Sequence, residues 1–323
     1  MQIINVYNNF ANQGGAQDMT IMLAESLPQS TNIILTLTPI DKIFEGYKQR
    51  NVTFDRFCLS LIWRYRNCCF ICHSRALTTI LLLCFFVKRK NILHVSHNVF
   101  DNHRYTTLFP PKIVAVSNGV KSNLINFFRI NPDRIKVIWN GLEDKYSSES
   151  FTKSDGYIKI LLAGRICAVK QQLILVQKFK GRMPDNVTLY FAGDGEDRES
   201  LISLIENDCH FQYLGLINIY KELNKFDYVL LFSEREGLPL SLIEGCMFGK
   251  PLITNNLDSV MDVNVDGYNG FVFEDYESLL EGIKNLPKIS STEYDKLSKN
   301  ARNKYLSDFT KEAMLKKYIE IID

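Results

Sequence analysis

Short, nearly continuous apolar runs alternate along this chain with segments whose apolar residues recur every three or four positions. In the first half the runs at residues 3–7 (IINVY), 32–37 (NIILTL), 68–73 (CCFICH), 91–96 (NILHVS), 112–117 (KIVAVS) and 135–139 (IKVIW) predict strands. Between them, residues 15–27, 76–87 and 120–128 have the length and spacing of helices. After a polar stretch at 145–156 (KYSSESFTKSDG) the alternation restarts, with strands predicted at 157–164, 186–193, 211–215, 227–233, 250–254 and 271–274. Helices are predicted there around 172–179, 198–205, 239–248 and 277–285. Strands that are apolar on both faces and alternate with helices belong in parallel sheets covered on both sides. The pattern therefore predicts an α/β protein of two Rossmann-like domains, residues 1–144 and 157–308, joined by a linker at 145–156. A C-terminal helix over 309–323 is expected to pack back toward the first domain.

Composition agrees with that picture: 323 residues, 46% hydrophobic and 23% charged, supply material for two cores. No basic leader precedes the apolar start MQIINVYNNF, which predicts a cytoplasmic protein. The longest apolar run, 76–87 (ALTTILLLCFFV), falls well short of the roughly 20 residues of a membrane span and is expected to be a buried helix. The net charge of +2 conceals an asymmetry, since residues 1–145 hold 17 Lys and Arg against 9 Asp and Glu, and the remainder 21 against 27. A basic half is drawn to anionic lipid, phosphorylated substrates or nucleic acid. Arg64, Arg66 and Arg75 before the apolar run, with Lys88, Arg89 and Lys90 after it, favour a peripheral contact with anionic membrane over nucleic acid. The competing explanation is solubilising charge around a hydrophobic helix.

Five of the eight cysteines lie between Cys58 and Cys84, but no second Cys/His pair follows Cys69 and Cys72 at the spacing of a structural zinc site. CCFICH therefore reads as a buried strand in which cysteine is a small hydrophobe.

Ligands of open parallel sheets bind beyond the carboxyl ends of the strands, so candidate chemistry lies in the loops that follow them. Gly193 and Gly195 in AGDGEDRES begin like a dinucleotide fingerprint, yet Arg198 occupies the place of its third glycine and the loop sits mid-series, which excludes nicotinamide binding. Gly14 and Gly15, after the first strand, let a phosphate or sugar approach the amides of a helix start. Arg165 and Lys170, after the first strand of the second domain, suit a diphosphate. In LFSEREGLPLSLIEG, Glu236 sits in a strand exit, Pro239 suits the first turn of the next helix, and Glu244 lies within that helix. Amides near Gly237, Leu238 and Leu240 could hold phosphate, while Glu244 reaches a ribose diol and Glu236 another part of the same ligand.

These motifs, in this order over nearly the whole chain, resemble the GT-B fold retaining glycosyltransferases of family 4 (glycosyltransferase group 1), bacterial surface-polysaccharide type. The resemblance rests on Gly14-Gly15, His97 in VSHNVF, AVSNGVKSNL around Ser117, VIWNG at Asn140-Gly141, and GR…K at Arg165 and Lys170. It continues through AGDGEDR, FQYLG, SEREGLPLSLIEGCMFGKPLIT and DGYNGFVFE.

The resemblance implies two sheets facing across a cleft, with a nucleotide-sugar as donor substrate and no cofactor or metal. By position it implies that Glu244 binds ribose hydroxyls, Glu236 the sugar hydroxyls, and Arg165 with Lys170 the diphosphate. Gly237, Leu238 and Leu240 support sugar and phosphate through their backbone, Gly15 approaches the phosphates, and His97 meets the donor sugar near the reacting carbon. His73 and His94 are expected to be ordinary strand-end histidines. The acceptor implied is a glycan or a polyprenyl-diphosphate-linked oligosaccharide. The first domain is short, which implies trimmed acceptor loops. Where relatives carry a glycine pair before a glutamate, this chain has Asp258-Ser259-Val260-Met261-Asp262, making Asp262 the candidate substitute. A nucleotide-sugar epimerase or hydrolase on the same fold is one alternative, which a product assay separates; a non-catalytic binding protein is the other, disfavoured because Arg165, Lys170, Glu236 and Glu244 are all present.

Overall fold

The structure, a computed structural model, describes residues 1–147, 156–288 and 291–322, so residues 148–155 of the predicted linker lie outside the described residues. The chain divides into two compact units, Met1–Gly141 with Lys311–Asp323, and Leu142–Thr310.

The first unit is built on seven parallel strands: β1 (Ile3–Val6), β2 (Ser30–Thr36), β3 (Thr53–Arg56), β4 (Cys69–Cys72), β5 (Ile92–Ser96), β6 (Lys112–Ala115) and β7 (Ile135–Val137), in the order β3-β2-β1-β4-β5-β6-β7. All residues of β1, β4 and β5 are buried, as strands covered on both faces require. Burial pushes the thiols of Cys69 and Cys72 up to about 11 and about 12, so both behave as core side chains. β3 has no counterpart in the apolar pattern, because TFDR pairs only with β2 and its end residues are exposed.

The apolar run at 76–87 departs from its expectation. Its helix is Arg75–Leu83, closed where Cys84 turns to extended backbone, and only the stripe Leu77, Thr78, Leu81 and Leu82 is buried. Ile80, Leu83 and Phe85 face solvent, so the element is half-buried. Among the described residues no helix is long and apolar enough to cross a membrane.

The second unit carries six parallel strands: β8 (Ile158–Ala163), β9 (Val187–Ala192), β10 (Phe211–Gly215), β11 (Tyr228–Leu231), β12 (Leu252–Asn255) and β13 (Gly270–Phe273), in the order β10-β9-β8-β11-β12-β13. This is the doubly wound order, in which the chain reverses its direction of growth between β8 and β11. In the first sheet the same reversal falls between β1 and β4. Loops after those strands diverge, leaving a crevice at the sheet's carboxyl edge in each unit.

The helix Thr292–Asp308 closes the second unit, with the Tyr305 hydroxyl donating to Leu142 O at 2.9 Å. Its buried stripe is sparse: Tyr294, Leu297, Ala301 and Tyr305. The final helix, Lys311–Ile322, belongs to the first unit. Met314 and Tyr318 are buried there, the Met314 sulfur accepts from the Gly141 N–H at 3.2 Å, and Lys112 Nζ donates to Ile321 O at 2.6 Å. Met314→Ala should therefore destabilise the first unit by about 2–5 kcal/mol, as large-to-small core changes do. The measurement is the urea midpoint of that unit's transition; an unchanged midpoint would contradict the packing.

Candidate functional site

In the second unit, two loops meet at the point where strand order reverses. The first leaves β8 through Gly164 and Arg165, forms a short turn at Ala168–Lys170, passes Gln171 in the left-handed region (φ 56°), and enters the helix Gln172–Phe179. It lies directly on the loop after β9: Gly164 N–H donates to Ala192 O at 2.9 Å, Ile166 N–H to Asp194 O at 3.0 Å, and Asp197 N–H to Ile166 O at 3.1 Å. A Cβ on Gly193 would stand 2.0 Å from Gly164 O, and one on Gly195 2.2 Å from Ile166 O. The paired glycines of AGDGEDR thus permit one backbone to support another. Buried Gln172 reaches across the same loop, its Nε2 donating to Arg165 O at 2.9 Å. The Tyr276 hydroxyl donates to Gln171 Oε1 at 2.6 Å.

The second loop leaves β11. Asn255, at the end of β12, holds its start: Nδ2 donates to Ser233 O at 2.7 Å and Oδ1 accepts from Ser233 N–H at 3.2 Å. Glu234 N–H then donates to Val169 O at 2.8 Å, tying the two loops together. The consequence is an ion pair, Lys170 Nζ to Glu236 Oε1 at 2.5 Å, whose side chains are only 24% and 8% exposed. Gly237, Leu238 and Pro239 are buried behind it, and Leu240 and Glu244 are half-buried. Arg165 is exposed, with its side chain free of the core.

Pro239 is not in the first turn of the next helix, as its sequence position predicts, but caps it. Its backbone is extended (φ −72°, ψ 116°), and the helix runs Leu240–Met247 with no side-chain acceptor at its start. The first-turn amides and the positive end of the helix dipole consequently have no capping side chain, the condition under which an anion binds there. Glu244 is the fifth residue of that helix. A Cβ on Gly245 would meet Leu252 and Val229 side chains at 3.0 Å, so a small residue here seats the helix close on the sheet. Asp262 ends a short helix (Asp258–Met261) after β12 and is buried.

In the first unit, Gly14 caps the helix Gly15–Ser26 in extended conformation, and its N–H donates to the Tyr47 hydroxyl at 3.1 Å. That hydroxyl donates in turn to Asp18 Oδ1 at 2.9 Å, fixing the glycine loop. His97 follows β5 and does not stand alone. Its Nε2 lies 2.8 Å from His73 Nδ1 with the rings stacked at 25°, and His73 Nε2 lies 3.2 Å from Asn5 Oδ1. A carbonyl oxygen only accepts, so His73 carries its proton on Nε2, its Nδ1 accepts from His97, and His97 keeps a lone pair on Nδ1. Burial holds His97 down to about 4 and, with the charges of His97 and Arg75, His94 down to about 3. His73 is lowered too, by burial and then by His97 and His94. His73 is therefore more than the ordinary strand-end histidine expected. The signal that could have shown it is Asn5, a fully buried amide inside the apolar strand β1. Gln172, Asn255 and Tyr276 leave no motif in the sequence, since each acts through hydrogen bonds to the backbone or side chain of a neighbouring loop.

Among the described residues one group of potential metal ligands gathers, Asp208, Cys209 and His210, consecutive on the turn before β10. It is removed in topology from the loops after β8 and β11.

Residues 144–304 match the family described as "Glycosyl transferases group 1". An uncharacterized glycosyltransferase of Methanocaldococcus jannaschii is 26% identical over 232 residues, 65% of this chain and 58% of that protein. The UDP-Gal:alpha-D-GlcNAc-diphosphoundecaprenol alpha-1,3-galactosyltransferase of Escherichia coli is 25% identical over 228 residues, 61% and 56% of the two chains. The matched part thus spans little more than half of these curated relatives' length. Among solved structures, Anabaena Alr3699/HepE in complex with UDP has a TM-score of 0.83 at 16% identity, covering 99% of both chains. That likeness shows the fold, GT-B. The second unit belongs to the glycosyl transferases group 1.

The histidine geometry makes a direct prediction. The ring carbons of His73, His94 and His97 should keep neutral-imidazole chemical shifts from pH 8 down to pH 5, with the His97 proton on Nε2. A His97 ring that titrates near its ordinary value of about 6.5 would contradict the buried relay.

Proposed function

We propose that this group 1 glycosyltransferase moves a sugar from a nucleotide-sugar, a UDP-sugar foremost and a GDP-sugar next, to a hydroxyl of a glycan or polyprenyl-diphosphate-linked oligosaccharide. The setting is the assembly of bacterial O-antigen, capsule or lipopolysaccharide, at the cytoplasmic face of the membrane. The observation that carries this reading is the Lys170–Glu236 pair, set at the reversal point of the second sheet beside an uncapped helix start. A cation, a carboxylate and a helix N-terminus within two adjoining loops fit the diphosphate and sugar halves of one ligand. Two comparisons support it: the E. coli relative is named for a UDP-Gal donor and a diphosphoundecaprenol acceptor, and the Anabaena protein is solved with UDP-glucose.

In this reading Lys170 and Arg165 neutralise the charge that develops on the diphosphate as the sugar C1–O bond breaks, and the helix start at Leu240 adds its dipole. Glu236 accepts hydrogen bonds from sugar hydroxyls, and Glu244 from the ribose diol. Gly237, Leu238 and Leu240 support sugar and phosphate through their backbone, with Pro239 setting the start of the helix between them. Gly14 and Gly15 are assigned to the phosphates and His97 to the donor sugar. A neutral His97 carries a lone pair and no positive charge, which suits a sugar that turns cationic in the transition state. The acceptor oxygen then bonds to C1 on the face the diphosphate leaves, and its proton passes to the departing phosphate. This order retains the anomeric configuration and asks for neither a metal nor a carboxylate nucleophile.

Glu244→Ala should abolish the thermal shift given by UDP, and Lys170→Ala should lower kcat by about 10²–10³-fold, the range for losing one transition-state charge stabiliser. Proton NMR of the product should show the donor's anomeric configuration kept. Epimerised or hydrolysed donor in place of transferred sugar, or full activity in both variants, would overturn the assignment.

A further inference from the structure

Gln171 stands where two helical segments meet. It closes the turn Ala168–Lys170 and opens the helix Gln172–Phe179, with φ 56° and ψ 22°. The joint is bonded on both sides: Gln171 N–H donates to Ala168 O at 3.1 Å, and Leu175 N–H donates to Gln171 O at 3.0 Å. The left-handed region is costly for a residue with a Cβ, and glycine is its usual occupant. Any other residue stays there only when its surroundings over-determine it, and such residues gather at functional sites. Lys170 is the residue just before this joint, so a relaxation of Gln171 to negative φ would swing the turn that carries the lysine relative to the helix that follows.

Tyr276 supplies the restraint. Its hydroxyl donates to Gln171 Oε1 at 2.6 Å, and burial pushes the phenol up to about 12, so it stays a donor at neutral pH. Tyr276 is itself fixed, as the first residue of the helix Tyr276–Lys284 after β13. A capping box closes that helix start: Ser278 N–H donates to Asp275 Oδ1 at 2.8 Å, and Asp275 N–H to Ser278 Oγ at 3.2 Å. The Tyr276 ring rests on Phe232, with centroids 4.7 Å apart, and Phe232 opens the loop that carries Glu236. One side chain from a third element therefore touches both loops of the ion pair, its hydroxyl at the residue after Lys170 and its ring at the exit of β11.

We propose that Tyr276 is a positioning residue: by holding Gln171 in the left-handed region while its ring rests on Phe232, it keeps Lys170 aimed at Glu236 and at the terminal phosphate of the donor. The proposal rests on the diphosphate reading above and deepens it, since the direction of the site's buried cation then depends on one hydroxyl and one strained joint. Tyr276 acts through Lys170, so its contribution exists only while Lys170 is present.

The test uses Tyr276→Phe, which keeps the ring on Phe232 and removes only the hydroxyl. A crystal structure of this variant should show Gln171 relaxed out of the left-handed region and Lys170 Nζ drawn away from Glu236. Titrations with UDP and with UMP isolate the terminal phosphate without any acceptor. Wild type should bind UDP about tenfold more tightly than UMP, the scale of one hydrogen bond to a charged group. Tyr276→Phe should cut that ratio by about fivefold and leave UMP binding unchanged. With Lys170→Ala already in place, Tyr276→Phe should leave the ratio where it is, because residues that act through one another are not additive. Gln171→Gly added to Tyr276→Phe should bring the ratio back toward wild type, since glycine holds the left-handed region unaided, whereas Gln171→Ala should not. An unmoved Gln171 and Lys170 in the variant structure, or the same loss with Lys170 removed, would overturn the proposal. Equal affinity of wild type for UDP and UMP would overturn the diphosphate reading instead, and the variant structure would still decide whether Tyr276 holds the joint.

Discussion

The contact between Lys170 and Glu236 is the constraint around which the second unit's candidate chemistry is arranged. Two charges only 24% and 8% exposed cost desolvation free energy that their attraction barely offsets, so such a pair is poor evidence of stabilisation by itself. It persists because the loops that carry it are fixed by other means. Glu234 bonds the backbone of Val169, Asn255 grips Ser233, and Gln172 spans the Arg165 loop. Beneath them Gly193 and Gly195 let the loop after β9 press against the loop after β8. The charges are thus held in place before any ligand arrives, which is what electrostatic stabilisation of a leaving group requires.

Sheet topology explains why those loops meet at all. A doubly wound sheet separates its carboxyl-end loops where strand order reverses, and here the loops are those of Arg165–Lys170 and of Glu236–Glu244. The first unit repeats the logic with different chemistry. Its reversal lies between β1 and β4, strands that contribute Asn5 and lead into His73, and the adjoining β5 leads into His97. A buried amide, a buried imidazole and a half-buried imidazole then hand one hydrogen bond along, so that the last ring is neutral and oriented. The second unit offers fixed charge; the first offers a fixed lone pair.

Much of this architecture was legible in the sequence, for a physical reason. Strands covered on both faces have no polar side, so IINVY, CCFICH and DYVLLFS announce themselves as nearly continuous apolar runs. Elements without that constraint were not legible. β3 is an edge strand with polar ends, and Thr292–Asp308 buries only four side chains in seventeen residues. The run at 76–87 misled in the other direction, since apolar composition marks burial only if nothing else wants the surface, and Phe85 is almost wholly exposed. At the candidate site, charged residues at loop positions were visible by spacing alone. The residues that position them, Gln172, Asn255, Tyr276 and His73, depend on contacts between loops distant in sequence, which spacing does not encode.

If the loops after β8 and β11 form a preorganised diphosphate site, a crystal structure of the protein soaked with UDP shows it most directly. The terminal phosphate should then lie within hydrogen-bond distance of Lys170 Nζ and of the amides that open the helix at Leu240, with the ribose diol on Glu244. A nucleotide seated elsewhere, with the Lys170–Glu236 pair untouched and the helix start bare, would contradict it.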